Sequence, residues 1–494
     1  MTGDVWVVLS LACLAGGAFA VYLVARLLTY RNSLLALLTA LVFAAALVAL
    51  APLQLTTGVG HPPAWGHFGP AGAFLRADPG GLMVAGVALG LGLLVTLYSG
   101  HYLTLDRRYE DYYPLLLLLV AGLVGMVMAA DLFNLYMFCE LMSAAAYVLV
   151  AFRRRTDTAI EAGFKYLMMG SVGTVIILMG ISFIYRETGQ LVLPQVAGAP
   201  GPWKRAGLAC LLVGFGIKSA TVPLHTWLPD AHGRAPSSVS AMLSGIVIQS
   251  IFYTLLRVSL GLGFPARDLG MLLIVLSLFN MTLGNGLALV QTNTKRLLAY
   301  STIAQMGYIM LSVGIGLRYA IPAAIQAGFF LLLAHAAMKG LAFLCKGACH
   351  FYCDATTIKQ LRGTAAQMPL VAVAFSVALA GLASVPPLAG FAGKWFILNG
   401  AVRAATSLGY VGLAFFLLNS LLALGYYLPL IGTLFTPPLS PLPGEERERQ
   451  IRISPWMALP LIVLGALVLA IGLYPQPWLD WTAEAAMYLH RLGR

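Results

Sequence analysis

Lys218 lies inside the apolar stretch GFGIKSATVPLHTWLPDAH, five residues before Pro223. A lysine at membrane depth costs at least about 2.5–3.5 kcal/mol on insertion scales. Pro223 has no N–H to offer the carbonyl of Ser219, so the helix must break beside the ammonium and free polar backbone there. A charge next to a discontinuous helix is how ion-carrying membrane proteins build a site. Glu140, in DLFNLYMFCELMSAAAYVLVAF, is the matching acid. If its helix starts near Asp131, the carboxylate lies about 14 Å deep, near the bilayer midplane. Burial disfavours both charged forms, and bringing acid and amine together reverses this.

Three further intramembrane bases fit a wire of titratable groups. His335 and Lys339 are four apart in FFLLLAHAAMKGLAFLCKG and share a helix face. Lys394 follows Pro386 and Pro387 in LASVPPLAGFAGKWFILNGA, a second broken segment that is expected to mirror the one at Lys218. Lys346, nearer its helix end, reads as a topological anchor. His225, Asp230 and His232 follow the first break on the predicted inner side. They suit proton uptake there, or simply satisfy backbone at a turn.

The elements that carry these groups are membrane helices. The chain has 494 residues, 60% hydrophobic and 10% charged, a balance that no soluble globular domain shows. Its net charge of +12 is spread over loops, which excludes a nucleic-acid surface and points to membrane topology. Apolar stretches of about 20 residues give an all-α polytopic membrane protein of about fourteen transmembrane helices. Arg26, Arg31, Arg107, Arg108, Arg153 to Arg155, Lys295, Arg296, Lys359, Arg362 and Arg447 to Arg452 then fall in inside loops. Arg76, Lys204, Arg205, Arg318 and Arg403 fall outside, so both termini are expected outside, in the cell's inner (plasma) membrane.

The N-terminus has no basic n-region, and its first apolar run reads as a retained helix. Loops 52–79 and 434–455 read as connectors, and QPWLDWTAEAAMYLHRLG as a short amphipathic interfacial helix. The pair of broken segments predicts two inverted five-helix repeats, residues 113–262 and 268–433. Residues 1–112 hold three preceding helices, and residues 434–494 a loop, helix 14 and the interfacial tail. No nucleotide loop, haem motif or C-x-x-C pair is present, so no cofactor or metal is expected, and redox chemistry would reside in another subunit. Cys345, Cys349 and Cys353 read as small apolar fillers.

DLFNLYMFCELMSAAAYVLV, AGFKYLMMGSVGTVIILMGISFIY, GFGIKSATVPLHTWLPDAHGRAPSSVSAMLSG, TKRLLAYSTIAQMGYIML, HAAMKGLAFLCKGA and SVPPLAGFAGKWFI resemble the antiporter-like subunits of respiratory complex I. The D-type subunit of Mrp cation/proton antiporters and membrane-bound hydrogenases share that fold. The resemblance covers about residues 80 to 435, and PLHTWLPDAH with its upstream lysine is its most specific segment. It implies fourteen helices in two inverted repeats and a role for Glu140 as the family's essential glutamate. Lys218 and Lys394 match the lysines of the two broken helices, and His335 and Lys339 the polar helix of the second half. In LSGIVIQSIFYTLLR the family usually has a lysine where this chain has Gln249. Glutamine orders water but holds no proton charge.

These residues predict a proton-translocating subunit of a multi-subunit, complex I-like or hydrogenase-like membrane complex. Its partners would be other membrane subunits, the lipid bilayer and protons, with Na⁺ as an alternative cation. Two rival readings remain open: an Mrp-type Na⁺/H⁺ antiporter subunit, and a non-conducting anchor of a redox or bicarbonate-uptake complex.

Overall fold

The computed structural model describes residues 3–27, 32–56, 66–68, 73–106, 108–153, 157–197, 201–437 and 451–494. Arg31, Arg107, Arg154, Arg155, Arg447 and Arg449, used in the orientation argument, lie outside the described residues, as does most of loop 434–455.

Helices dominate. The first three long ones are α1 (Gly3–Leu27), α2 (Asn32–Thr56) and α3 (Pro79–Tyr102). Between α2 and α3, in what the sequence suggested was a plain connector, β1 (Gly66–Phe68) pairs antiparallel with β2 (Ala73–Leu75). The first five-helix set comprises α4 (Tyr109–Met128), α5 (Leu132–Val150), α6 (Asp157–Thr188), a broken fourth helix and a fifth. A one-turn helix, α7 (Leu193–Ala197), follows α6. The broken helix is α8 (Pro202–Lys218) plus α9 (Trp227–Arg234), and the fifth is α10 (Ser237–Met242), a π-helical stretch Leu243–Val247, and α11 (Ile248–Gly261). The second set is α12 (Ala266–Leu289), α13 (Thr294–Arg318) and α14 (Pro322–Cys353). After the short α15 (Thr364–Gln367) come the broken pair α16 (Pro369–Leu382) and α17 (Ala389–Arg403), then α18 (Ser407–Phe435). α19 (Pro455–Leu473) and the amphipathic α20 (Gln476–Leu492) complete the chain.

Among the described residues, twelve helices are long and apolar enough to cross a membrane. The two broken helices supply the remaining expected spans, because each half alone is too short. Local chemistry fixes where spans begin. Asp131 caps α5 by accepting from the N–H groups of Phe133 (3.0 Å) and Asn134 (2.8 Å), and Asn293 caps α13 in the same way. The π-helical stretch, α11, α13 and α14 form the interior, whereas α1, α6 and α18 expose apolar residues such as Phe19, Val175 and Leu421 on the surface of the chain. α20 lies on α3, α11 and α14.

The two five-helix sets are internally alike. α6 packs along both α8 and α9, as α14 packs along both α16 and α17. The breaks repeat bond for bond at a constant sequence offset. Ser219 N–H donates to Phe215 O as Ala383 does to Leu379 O, and Thr221 to Gly216 O as Val385 does to Ala380 O. Ala220 (φ 52°) and Ser384 (φ 67°) take the left-handed conformation at the same place in each turn. This register corrects one sequence expectation. Leu382, not Lys394, stands at the position of Lys218, and Lys394 stands where the first set has Asp230. Lys218 is therefore the last residue before its break, whereas Lys394 lies beyond its own, within α17.

Candidate functional site

Glycines bring the walls of the first break together. A Cβ on Gly180 of α6 would come within 2.8 Å of the Gly207 carbonyl of α8, and one on Gly214 would meet the Gly173 carbonyl at the same distance. Without side chains there, the two backbones approach closely, which is how membrane helices gain packing. Glu140 lies eight residues into α5, about 12 Å along its axis.

Lys218 Nζ donates to Glu140 Oε1 at 3.1 Å and to Ser143 Oγ at 2.7 Å. Thr174 of α6 donates to the same carboxylate oxygen at 2.5 Å across the α5–α6 contact. The ammonium is buried, with 5% exposure, whereas the Glu140 side chain is one-third exposed. The amine thus belongs to the interior, and the acid opens towards the surface of the chain. Freed backbone at the break finds partners: Trp227 Nε1 donates to Ile217 O at 2.9 Å, and Val222 N–H donates to Asn280 Oδ1 of α12 at 2.8 Å. Trp227 is itself stacked on Tyr166 at 4.2 Å between ring centroids.

Gln249 lies two residues beyond the π-helical stretch, a distortion often found at functional sites. Its amide nitrogen meets His335 Nδ1, so the second half of the molecule touches the first here. Gln249 Oε1 and His335 Nε2 are buried with no protein partner. One turn on, Lys339 Nζ donates to Leu298 O at 2.7 Å and to Ser301 Oγ. Lys394 Nζ donates to Ser420 Oγ at 3.1 Å and stands 4.1 Å over the Tyr308 ring, a cation–π contact. The hydrogen-bond partners of Lys339 and Lys394 are therefore neutral, unlike that of Lys218.

The three residues predicted for proton uptake separate. Asp230 pairs with Arg296 (3.2 Å) and Lys165 (3.4 Å) and lines a surface cavity of about 180 Å³ with Glu161, Arg234 and Asn293. His225 is half-buried, with Nδ1 unpartnered. His232 is not a surface group. It is fully buried, stacked on Phe343 at 5.0 Å, with both ring nitrogens unpartnered, because α9 turns that face towards α14. Lys346, expected as an anchor, is also buried and donates to Ala355 O at 2.5 Å. Cys345 and Cys349 are buried and Cys353 exposed, and among the described residues no group of three or more His, Cys, Asp or Glu could hold a metal.

The sequence reading missed Ser143, Thr174, Ser301 and Ser420, which bond Lys218, Lys339, Lys394 or the acid Glu140. Single hydroxyls in apolar helices carry no signal until the packing face is known. Asn280, Asn285 and Asn419 were also missed, although an asparagine in an apolar run is itself a flag.

Residues 129–422 match the family described as NADH:quinone oxidoreductase/Mrp antiporter, transmembrane region. The chain belongs to this family. F(420)H(2) dehydrogenase subunit N of Methanosarcina mazei is 33% identical over 419 residues, covering 82% of each chain. NADH-quinone oxidoreductase subunit N of Desulforudis audaxviator is 33% identical over 438 residues, 84% of each. Among solved structures, a chain of the archaeal membrane-bound sulfane sulfur reductase superposes with a TM-score of 0.85 at 26% identity, covering 98% of both chains. A chain of respiratory complex I from Thermus thermophilus gives 0.76 at 30% identity, covering 96% of this chain and 99% of that one. The protein is thus an antiporter-like, multi-pass subunit of a multi-subunit membrane complex.

Proposed function

We propose that this subunit translocates protons within a redox-driven complex. A proton taken up from the Asp230 cavity is held at Lys218 under the control of Glu140. It then passes Gln249 to His335, Lys339 and Lys394. The observation that carries this reading is the seam itself: one buried lysine in an ion pair at a broken helix, followed by buried amine and imidazole groups among unpartnered polar atoms. Gln249 Oε1, Thr254 Oγ1, Gln305 Oε1 and His335 Nε2 all lack protein partners. Buried polar atoms of this kind are normally satisfied by ordered water. A hydrated seam explains how transfer survives a glutamine at position 249, which orders water without holding the charge.

The family match supports this reading, as do relatives named as subunits of an F(420)H(2) dehydrogenase and of an NADH-quinone oxidoreductase. The neighbouring subunit would cover the α5 face. Phe133 and Met137 are half exposed there, and Glu140 opens onto the same face. A carboxylate facing lipid is costly, so a protein partner is the better cover. We place both termini outside in the plasma membrane, and the repeat boundaries at residues 113–262 and 268–433.

The non-conducting anchor reading draws on Gln249, and one experiment separates the two. The intact complex that co-purifies with the chain is reconstituted in vesicles, and redox-driven acidification is followed with an enclosed pH dye. Lys218→Ala and Gln249→Leu should each abolish most proton translocation while the complex still assembles. Full translocation by assembled Lys218→Ala would refute the proposal. If neither the variants nor the wild-type subunit affects the proton yield, the subunit is an anchor.

A further inference from the structure

Lys339 and Lys394 make no contact, yet a set of buried polar groups on α12, α13 and α18 lies between them. Tyr427 of α18 stands beside Ser301, the hydroxyl that Lys339 bonds, and its ring is 4.4 Å from that of Tyr426. Tyr426 Oη donates to Asn285 Oδ1 at 2.8 Å, and Asn285 Nδ2 donates to Tyr308 Oη at 3.2 Å. Tyr308 in turn lies under Lys394 and beside Ser420, the partner of the Lys394 amine. Asn285, Tyr308 and Tyr427 have no solvent exposure, and Tyr426 has 5%.

Resting on the proton-translocation reading, we infer that Asn285 is the positioning residue of a polar bridge joining Lys339 to Lys394, and that the hydroxyls of Tyr426, Tyr427 and Tyr308 line its proton path. The two ends of one amide treat the two tyrosines differently. The Oδ1 end uses the Tyr426 hydrogen and leaves that oxygen able to accept from the Tyr427 side. The Nδ2 end occupies a Tyr308 lone pair and leaves the Tyr308 hydrogen free to be donated towards Ser420. An amide does not itself carry the proton, so the transfer crosses Asn285 over water held between the two hydroxyls. Tyr427 Oη and Gln305 Oε1, both buried with no hydrogen bond of good geometry, leave polar valence on the Lys339 side of the bridge that water would satisfy. Each hop is balanced: a hydroxyl or water accepts one proton from the Lys339 side and releases one towards Lys394, and Lys339 is left neutral until it is reprotonated.

The competing explanation is structural. Asn285 also donates to Asn419 Oδ1 of α18 at 3.1 Å, and such a pair can serve only to hold two helices together. The tyrosine hydroxyls separate the two roles, because Tyr308→Phe and Tyr426→Phe keep the rings and the Asn285–Asn419 contact. In the reconstituted complex, the double Phe variant should assemble normally and lose about tenfold or more of its proton translocation rate. Its solvent deuterium isotope effect should rise above the wild-type value, because transfer across the bridge becomes limiting. Asn285→Leu should show the same loss, with partial recovery in Asn285→Gln. An assembled double variant that translocates at the wild-type rate, or one that slows with no change in isotope effect, overturns the bridge. If Lys218→Ala stops translocation while the tyrosine variants do not, the bridge alone fails. If Lys218→Ala also translocates fully, the underlying reading fails with it.

Discussion

Glu140→Gln isolates the electrostatic control of the first half. The carboxylate oxygen lies 3.1 Å from Lys218 Nζ, and the ammonium is nearly sequestered from solvent. At an effective dielectric of about 20, a unit pair at that distance is worth about 5 kcal/mol. One-third of the Glu140 side chain is exposed and screened, and Ser143 still holds the amine at 2.7 Å after substitution, so a net loss of about 2–3 kcal/mol is expected. That equals the work of moving one charge through roughly 100 mV, about 2.3 kcal/mol. The variant should therefore translocate about 30- to 150-fold more slowly against a membrane potential. Part of the loss should return when the potential is collapsed with valinomycin and potassium. The assay is redox-driven dye acidification in vesicles with the potential clamped at several values. Glu140→Asp should be intermediate. A Glu140→Gln complex that pumps at the wild-type rate at every potential would show that the contact is static packing.

Three further outcomes follow from the geometry. Gly180→Leu places a side chain where a Cβ already lies 2.8 Å from the Gly207 carbonyl, so α6 and α8 must separate; the complex should lose thermal stability in detergent and lose translocation together. Asp78→Asn removes one partner of a fully buried ion pair, 2.8 Å from Arg257 Nε, at the start of α3; a destabilisation of about 3–5 kcal/mol is expected and should be visible as a lowered melting temperature, whereas an unshifted melting curve would show that the pair contributes little. Cys353, the exposed cysteine at the end of α14, should react with a membrane-impermeant maleimide in inside-out but not right-side-out vesicles; the opposite pattern reverses the proposed orientation.

The residues differ in how much of their role could be read in advance. Lys218, Glu140, His335, Lys339 and Lys394 could be picked out as candidates because a charged or titratable group in a 20-residue apolar run stands out without any knowledge of packing. The breaks at Pro223 and Pro387 were legible for a similar reason, since proline removes a donor wherever it falls. His232 was misplaced because its neighbours in sequence, Asp230 and Arg234, line the surface, and only the rotation of α9 decides that the imidazole turns inward. Ser143, Thr174 and the tyrosines around Asn285 gave no signal, since hydroxyls and aromatic rings are ordinary in membrane helices.

Sequence alone therefore determined which segments enter the bilayer, where two of them break, and which charges must be accounted for, because those follow from transfer costs and backbone donors counted residue by residue. Tertiary structure decided which oxygen each amine meets, that Lys218 precedes its break while Lys394 follows its own, and that α12, α13 and α18 enclose a polar row between two lysines. The physical reason is rotational: successive helix residues turn about 100°, so a small polar group faces lipid or the interior according to how its helix packs.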